Sequence, residues 1–180
     1  MTGGSDTDLP DKAKPLIDLW HRHSIDGALP KKSSLDLGAI KTLLPYVSMF
    51  EIMGSDRIVW RLAGSAVLED LETNPAWANL IDLIADAQRA AVADLFLNSV
   101  RQPCGFIAEY TIKTPSGRVG LKRTLLLPLG GDEPKNLFVI GLDLSSETIG
   151  YKTAEGKPSV ANDLRLIGYV DLGYGVPPKA

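Results

Sequence analysis

The chain has almost none of the residues from which reactive or covalently braced sites are built. In 180 residues it carries one cysteine, Cys104, and two histidines, His21 and His23. A single cysteine excludes an internal disulfide and points to a reducing compartment, the cytoplasm. Cys104 follows Pro103 and opens an apolar stretch, which suits a small packed side chain, and no histidine lies near it in sequence to activate it. Positive charge is not in excess either. Nineteen Lys and Arg face 22 Asp and Glu, a net charge of −3, which argues against a nucleic-acid partner, since that requires a basic face. No apolar run approaches the ~20 residues of a membrane helix. The opening "MTGGSDTDLPDKAK" lacks the charged-then-apolar pattern of a signal peptide. What is present is the composition of an ordinary globule, 44% hydrophobic and 23% charged, long enough for one domain with a substantial core.

Along the chain, residues 1–10 are polar and predict a mobile end. Residues 11–28 predict an amphipathic flanking helix. Leu16, Trp20 and His23 fall at i, i+4 and i+7, joined by Ile17 and Leu19, with Pro15 admissible in the first turn. "LPKKSSLDLG" reads as an extended connector and "DLGAIKTLLP" as a short helix stopped by Pro45. In "YVSMFEIMGSDRIVWRLAG", residues 46–64, two strand-like runs flank the turn residues Gly54-Ser55-Asp56, a hairpin pattern. Alternation puts Ile58, Trp60 and Leu62 on one face and Arg57, Val59 and Arg61 on the other. Arg61 reads first as a surface cation or a salt bridge tying strand to helix, second as a ligand contact. Short helical pieces follow to Ala85, and residues 86–102 form a longer helix with Ala90, Ala93, Phe96, Leu97 and Val100 at helical spacing. Three strands come next, "CGFIAEYTIKT", "RVGLKRTLLLPLG" and "NLFVIGLDLS". Residues 145–163 are polar and loop-like, and "LRLIGYVDLGYGVP" is a second apolar stretch.

Short turns within each strand group demand antiparallel pairing. The expected fold is α+β: a five-stranded antiparallel sheet with helices on one face and an N-terminal flanking helix. The expected organisation is a domain over 29–145 with a C-terminal extension over 146–180.

This order resembles the PAS domain, and more specifically a stand-alone PAS-like family common in alphaproteobacteria. The residues that carry the resemblance are Trp20, Leu29-Pro30, Asp36, Leu43-Leu44-Pro45 and Arg61-Leu62-Ala63-Gly64, with "LLLPLG" at 125–130 similar to that family's penultimate strand. Two features depart from it. Lys31-Lys32 stand where an arginine is usual, which replaces a forked donor by point charges, and Thr73-Asn74-Pro75 replaces a glycine-bearing turn.

No set of residues spells out a reaction. His21 and His23 are at i and i+2 and diverge on a helix, so no metal site is expected from them. Asp82 and Asp86, or Glu69 and Asp70, read as exposed helix acids, and the glycine turns lack the spacing of a phosphate loop. Arg123 lies among alternating leucines, where a charge is costly unless paired. One reading aims it with Tyr110 into a pocket for an anionic or polar ligand. The preferred one pairs it with Glu109 across the strands or turns it outward at a bulge. Trp77 is a packing anchor or a pocket wall. The candidate ligand-binding residues are thus Trp60, Trp77, Tyr110 and Arg123, with no catalytic residue. Leu16, Ile17, Leu19 and Trp20 need an apolar surface, on the chain's own sheet or on a partner's.

The resemblance implies a sensory or interaction module in bacterial signalling without catalysis of its own. It implies a homodimer through the flanking helix, and action through another protein, by dimer exchange or by sequestering a ligand. The alternatives are a small enzyme with a pocket between helices and sheet, or a structural interaction protein with a filled core. No haem ligand is evident, and the cofactor, flavin included, is left open.

Overall fold

The structure is a computed structural model and describes residues 9–178. The mobile end expected at 1–10 lies, apart from Leu9 and Pro10, outside the described residues. Helix α1 spans Lys14–His23, with Pro15 in its first turn, where its missing N–H is no loss. The connector that follows carries three short 3-10 turns, at Lys32–Ser34, Leu37–Ile40 and Leu44–Tyr46. The helix expected up to Pro45 is therefore two separate turns, the first capped by the Asp36 carboxylate accepting from Gly38 N at 3.0 Å. Strands β1 (Val47–Gly54) and β2 (Arg57–Ala63) form the predicted hairpin. Helix α2 (Ser65–Leu71) and helix α3 (Asp86–Arg101) follow. The rest is strand: β3 (Cys104–Lys113), β4 (Arg118–Gly130), β5 (Leu137–Tyr151) and β6 (Ser159–Asp171).

All six strands make one antiparallel sheet in the order β2-β1-β5-β4-β3-β6. The expectation of five strands is corrected to six. The last apolar stretch pairs with β3, Phe106 opposite Tyr169 and Glu109 opposite Arg165, and removes β3 from the edge. The polar segment 145–163, expected as loop, supplies the end of β5 and the start of β6. Its strand residues carry little apolar signal because most of them face solvent, and β4 holds them through pairs such as Leu121 with Glu147.

Gly64 explains the abrupt end of β2. A Cβ there would stand 2.2 Å from the Leu44 carbonyl oxygen and 2.4 Å from that of Pro45, so only glycine lets the chain leave β2 this close to the turn before β1. Within β2 the alternation breaks once. Phe50 pairs with Trp60 and Met49 with Leu62, so Arg61 is an extra residue and Leu62 leaves the face that carries Ile58 and Trp60.

The sheet is covered on both sides. Phe50, Ile58, Trp60, Phe106, Ala108 and Leu126 pack against α2 and α3, where Val92, Ala93, Phe96, Ser99 and Val100 are the buried stripe of α3. Ala90, expected on that stripe, is exposed. On the opposite face Met49, Ile107, Leu125, Leu127, Leu129 and Ile140 pack against α1. Leu16, Leu19 and Trp20 are buried there, and the indole Nε1 donates to the Pro128 carbonyl at 2.7 Å. As an intermolecular surface these three are unavailable, because they already close the chain's own core; Ile17 is partly exposed.

Candidate functional site

Between α2, α3 and the sheet lies a chamber of about 60 Å³. Most of its wall follows from strand parity. Phe50 on β1, Trp60 on β2 and Phe106 and Ala108 on β3 point to the helix side, and Phe96 comes down from α3. The rings form a chain: Phe50 to Trp60 at 4.9 Å, Phe50 to Phe96 at 5.4 Å edge-on, Phe96 to Phe106 at 6.0 Å, separations at which aromatic pairs attract beyond their burial. Val160, Ala161 and Leu164 of β6 add a wall from beyond the expected domain.

One end of the chamber is polar. Tyr110, Lys122, Thr124 and Asp143 share the helix-side face of β3, β4 and β5, and Asp70, at the C-terminal end of α2, meets Lys122 from behind that wall. The Lys122 ammonium, almost fully buried, donates to Asp143 Oδ2 at 2.5 Å and to Asp70 Oδ2 at 2.7 Å. Thr124 Oγ1 donates to Asp143 Oδ1 at 3.0 Å, and Tyr110 Oη lies 3.0 Å from Thr124 Oγ1. Arg118 reaches Asp70 Oδ1 at 3.2 Å and Glu72 Oε1 at 3.5 Å. Burial alone would drag the lysine down, but the Asp143 charge and the hydrogen bonds to Asp143 and Asp70 hold it above the ordinary lysine range. For Asp70 burial pushes upward, and the hydrogen bonds to Lys122 and Ser146 with the charges of Lys122 and Arg118 leave it below its ordinary value. Burial beside Asp143 pushes the Tyr110 phenol up to about 12. Lys122, Asp70 and Tyr110 are thus all displaced away from neutrality.

Of the four ligand-binding residues expected from sequence, Trp60 and Tyr110 line the chamber, and Trp77 and Arg123 do not. Trp77 is 72% exposed outside the β2 edge, in a left-handed conformation (φ 70°) held by Trp77 N donating to Trp60 O at 2.7 Å. Its ring carries the Arg61 guanidinium at 4.4 Å. Arg61 also pairs with Glu51, its Nε 2.6 Å from Oε2, so Arg61 is in a salt bridge, but one that joins strand β2 to strand β1 and not, as expected, strand to helix. Arg123 points to the opposite face of the sheet, where it pairs with Glu109 at 2.8 Å beside Arg165. This is the cross-strand pairing preferred from sequence. Tyr110 stands opposite Lys122 in the β3–β4 register, and Arg123 opposite Glu109, so Tyr110 and Arg123 cannot meet.

Lys122, Thr124 and Asp143 were not among the expected site residues, and Asp70 was read as an exposed acid. The available signal was the register itself: if Glu109 pairs with Arg123, the neighbouring tyrosine must face Lys122. Cys104 is buried, and burial with the Asp171 charge pushes its thiol up to about 11. Among the described residues no group of three or more His, Cys, Asp or Glu could hold a metal ion, and no helix is long and apolar enough to cross a membrane.

The sequence profile of the PAS domain matches residues 10–143, about three quarters of the chain. The chain therefore belongs to the PAS domain family. No curated protein matches it. The match includes α1 and ends at Asp143, so the last part of β5 and all of β6 lie beyond it.

Proposed function

We propose that this chain is a small-molecule-sensing PAS module of bacterial, cytoplasmic signal transduction, which binds its ligand in the chamber and has no catalytic activity of its own. The observation that carries the reading is the chamber itself, walled by aromatic and aliphatic side chains and ended by convergent polar groups, the usual composition of a small-molecule site. The mechanism is a population shift. Asp70 on α2 is tied to Lys122 on the sheet at 2.7 Å, so an occupant that presses on this end favours one placement of α2 over another.

Non-catalysis is supported by the chemistry of the candidates. Lys122 is held charged and is no nucleophile, Cys104 is buried with its thiol pushed to about 11, and the histidines ride on α1 across the sheet from the chamber. A homodimer or a signalling partner belongs to the reading. The exposed Trp77 under Arg61 brings together two residue types enriched at the hot spots of protein contacts.

A second reading, a structural interaction protein with a filled core, is favoured by one observation, the small size of the chamber. Native mass spectrometry of the purified chain separates the two. A retained small molecule, lost in the Ala108→Leu variant, is expected from the sensing module. Bare protein throughout, with no binding from a metabolite extract, contradicts it. The same spectra read the stoichiometry.

A further inference from the structure

The protons of the polar end can be assigned one by one, and the assignment bears on what the chamber accepts. A carboxylate only accepts, so the single Thr124 hydroxyl proton goes to Asp143 Oδ1 at 3.0 Å. The Tyr110–Thr124 contact at 3.0 Å must then be donated by the tyrosine. That leaves the oxygen of Tyr110, a residue of the chamber wall, with acceptor capacity to spare. Two of the three Lys122 donors are spent on Asp143 and Asp70.

The charges close in the same way. Lys122 and Arg118 carry two positive charges, Asp70 and Asp143 two negative ones, and each of the four has an opposite partner within 3.2 Å; the part-exposed Glu72 adds a third carboxylate on Arg118 at 3.5 Å and leaves no positive charge in excess. The one buried cation that could attract an anion is therefore already balanced. An ion of either sign entering the chamber would lose its hydration with no free counter-charge to meet it. The size adds a bound. An apolar cavity of about 150 Å³ takes benzene, and about 60 Å³ is less than half of that.

We infer that the chamber takes an uncharged molecule of a few heavy atoms, apolar over most of its surface, with one hydroxyl or carbonyl held at the Tyr110 end. This rests on the reading of the chamber as a ligand site, and it replaces the anionic ligand that a pocket cation suggests. The selectivity comes from charge balance; the aromatic walls would accept the carbon skeleton of an acid, an amine or an alcohol equally.

The test is an NMR titration of the full chain at pH 7 and constant ionic strength with three probes of matched length: 1-propanol, propionate and propylammonium. Xenon serves as an apolar probe that carries no polar group. The expected result is saturable shifts for Ala108, Tyr110 and Phe96 with 1-propanol, and affinities at least tenfold weaker for both ions. Tyr110→Phe should weaken 1-propanol several-fold while leaving the xenon shifts in place. Propionate or propylammonium saturating the same residues as tightly as 1-propanol overturns the inference and leaves the chamber a ligand site. Chamber signals that respond to neither xenon nor 1-propanol overturn the sensing reading and this inference together.

Discussion

Beneath α1 the sheet is sealed by Leu16, Leu19 and Trp20, and the one polar atom of that indole is spent on the Pro128 carbonyl. Across the same strands, beneath α2 and α3, side chains of similar size leave a chamber whose end carries Lys122 and Asp143, with Asp70 and Arg118 bonded behind them. The two faces share strands, length and hydrophobic content, so the difference lies in which parity of each strand carries polar residues. Positions 125, 127 and 129 of β4 are leucines facing α1, whereas 122 and 124 facing the chamber are Lys and Thr. A buried ion cluster is a poor source of net stability compared with an apolar core of the same volume. The opposite face has its own ionic set, Glu109 with Arg123 and Arg165, but both arginines there are partly exposed, whereas Lys122 is almost fully buried; the proposed recognition falls on the face with the buried lysine.

Four substitutions or conditions can break or sharpen this contrast. The largest effect falls on the sealed face: Trp20→Ala should destabilise the chain by about 3–5 kcal/mol, the range for deleting a buried aromatic, read as a drop in urea midpoint at unchanged slope. Next comes Lys122→Met, which leaves two carboxylates without their buried partner and should cost about 3 kcal/mol. Adding Asp143→Leu should recover much of that loss, whereas a simple packing defect would be deepened by it.

Smaller again is the dependence on pH. Lys122 is held above the ordinary value of 10.5, so its contribution is intact below that value and is lost as alkali rises through the folded one. Asp70 is held below 3.8, so its contribution is intact above that value and fades as acid passes through the folded one. Urea unfolding across pH should therefore show a plateau between these limits, and Asp70→Asn should flatten the acid limb. The smallest effect is at the neighbouring residue: Arg123→Leu removes a half-exposed arginine and leaves Glu109 still paired with Arg165, so it should change stability by no more than about 1 kcal/mol and leave probe binding in the chamber untouched. Equal effects at 122 and 123 would contradict the two-faced reading.

These adjacent residues also mark what the sequence could reveal. The hairpin, the long helix from Asp86 and the three strands after Pro103 follow from periodicity and turn residues, and the structure contains each of them; the resemblance to the PAS domain, carried by element order and short motifs, is matched by the family profile. The sixth strand stayed hidden because the polar stretch before it and the alternation within it carry no core signal; β6 gains its register from β3, a partner some 50 residues distant. The site was half legible. Trp60 and Tyr110 stood out as large side chains with a polar handle. Lys122 did not, because in a sheet buried on both faces the leucine run of β4 cannot say which parity faces the helices. The cross-strand pair of Glu109 with Arg123 decides it, and that pair was one of several open readings of the sequence. Trp77 failed as a pocket wall for a local reason: its left-handed backbone turns the indole outward over the edge strand.

The account stands most directly on a crystal structure of the chain under xenon pressure, which reports open apolar space on both faces at once. Density among Phe50, Phe96 and Ala108, and none beneath Trp20, is the predicted result. An empty helix side, or xenon lodged under α1, would contradict it.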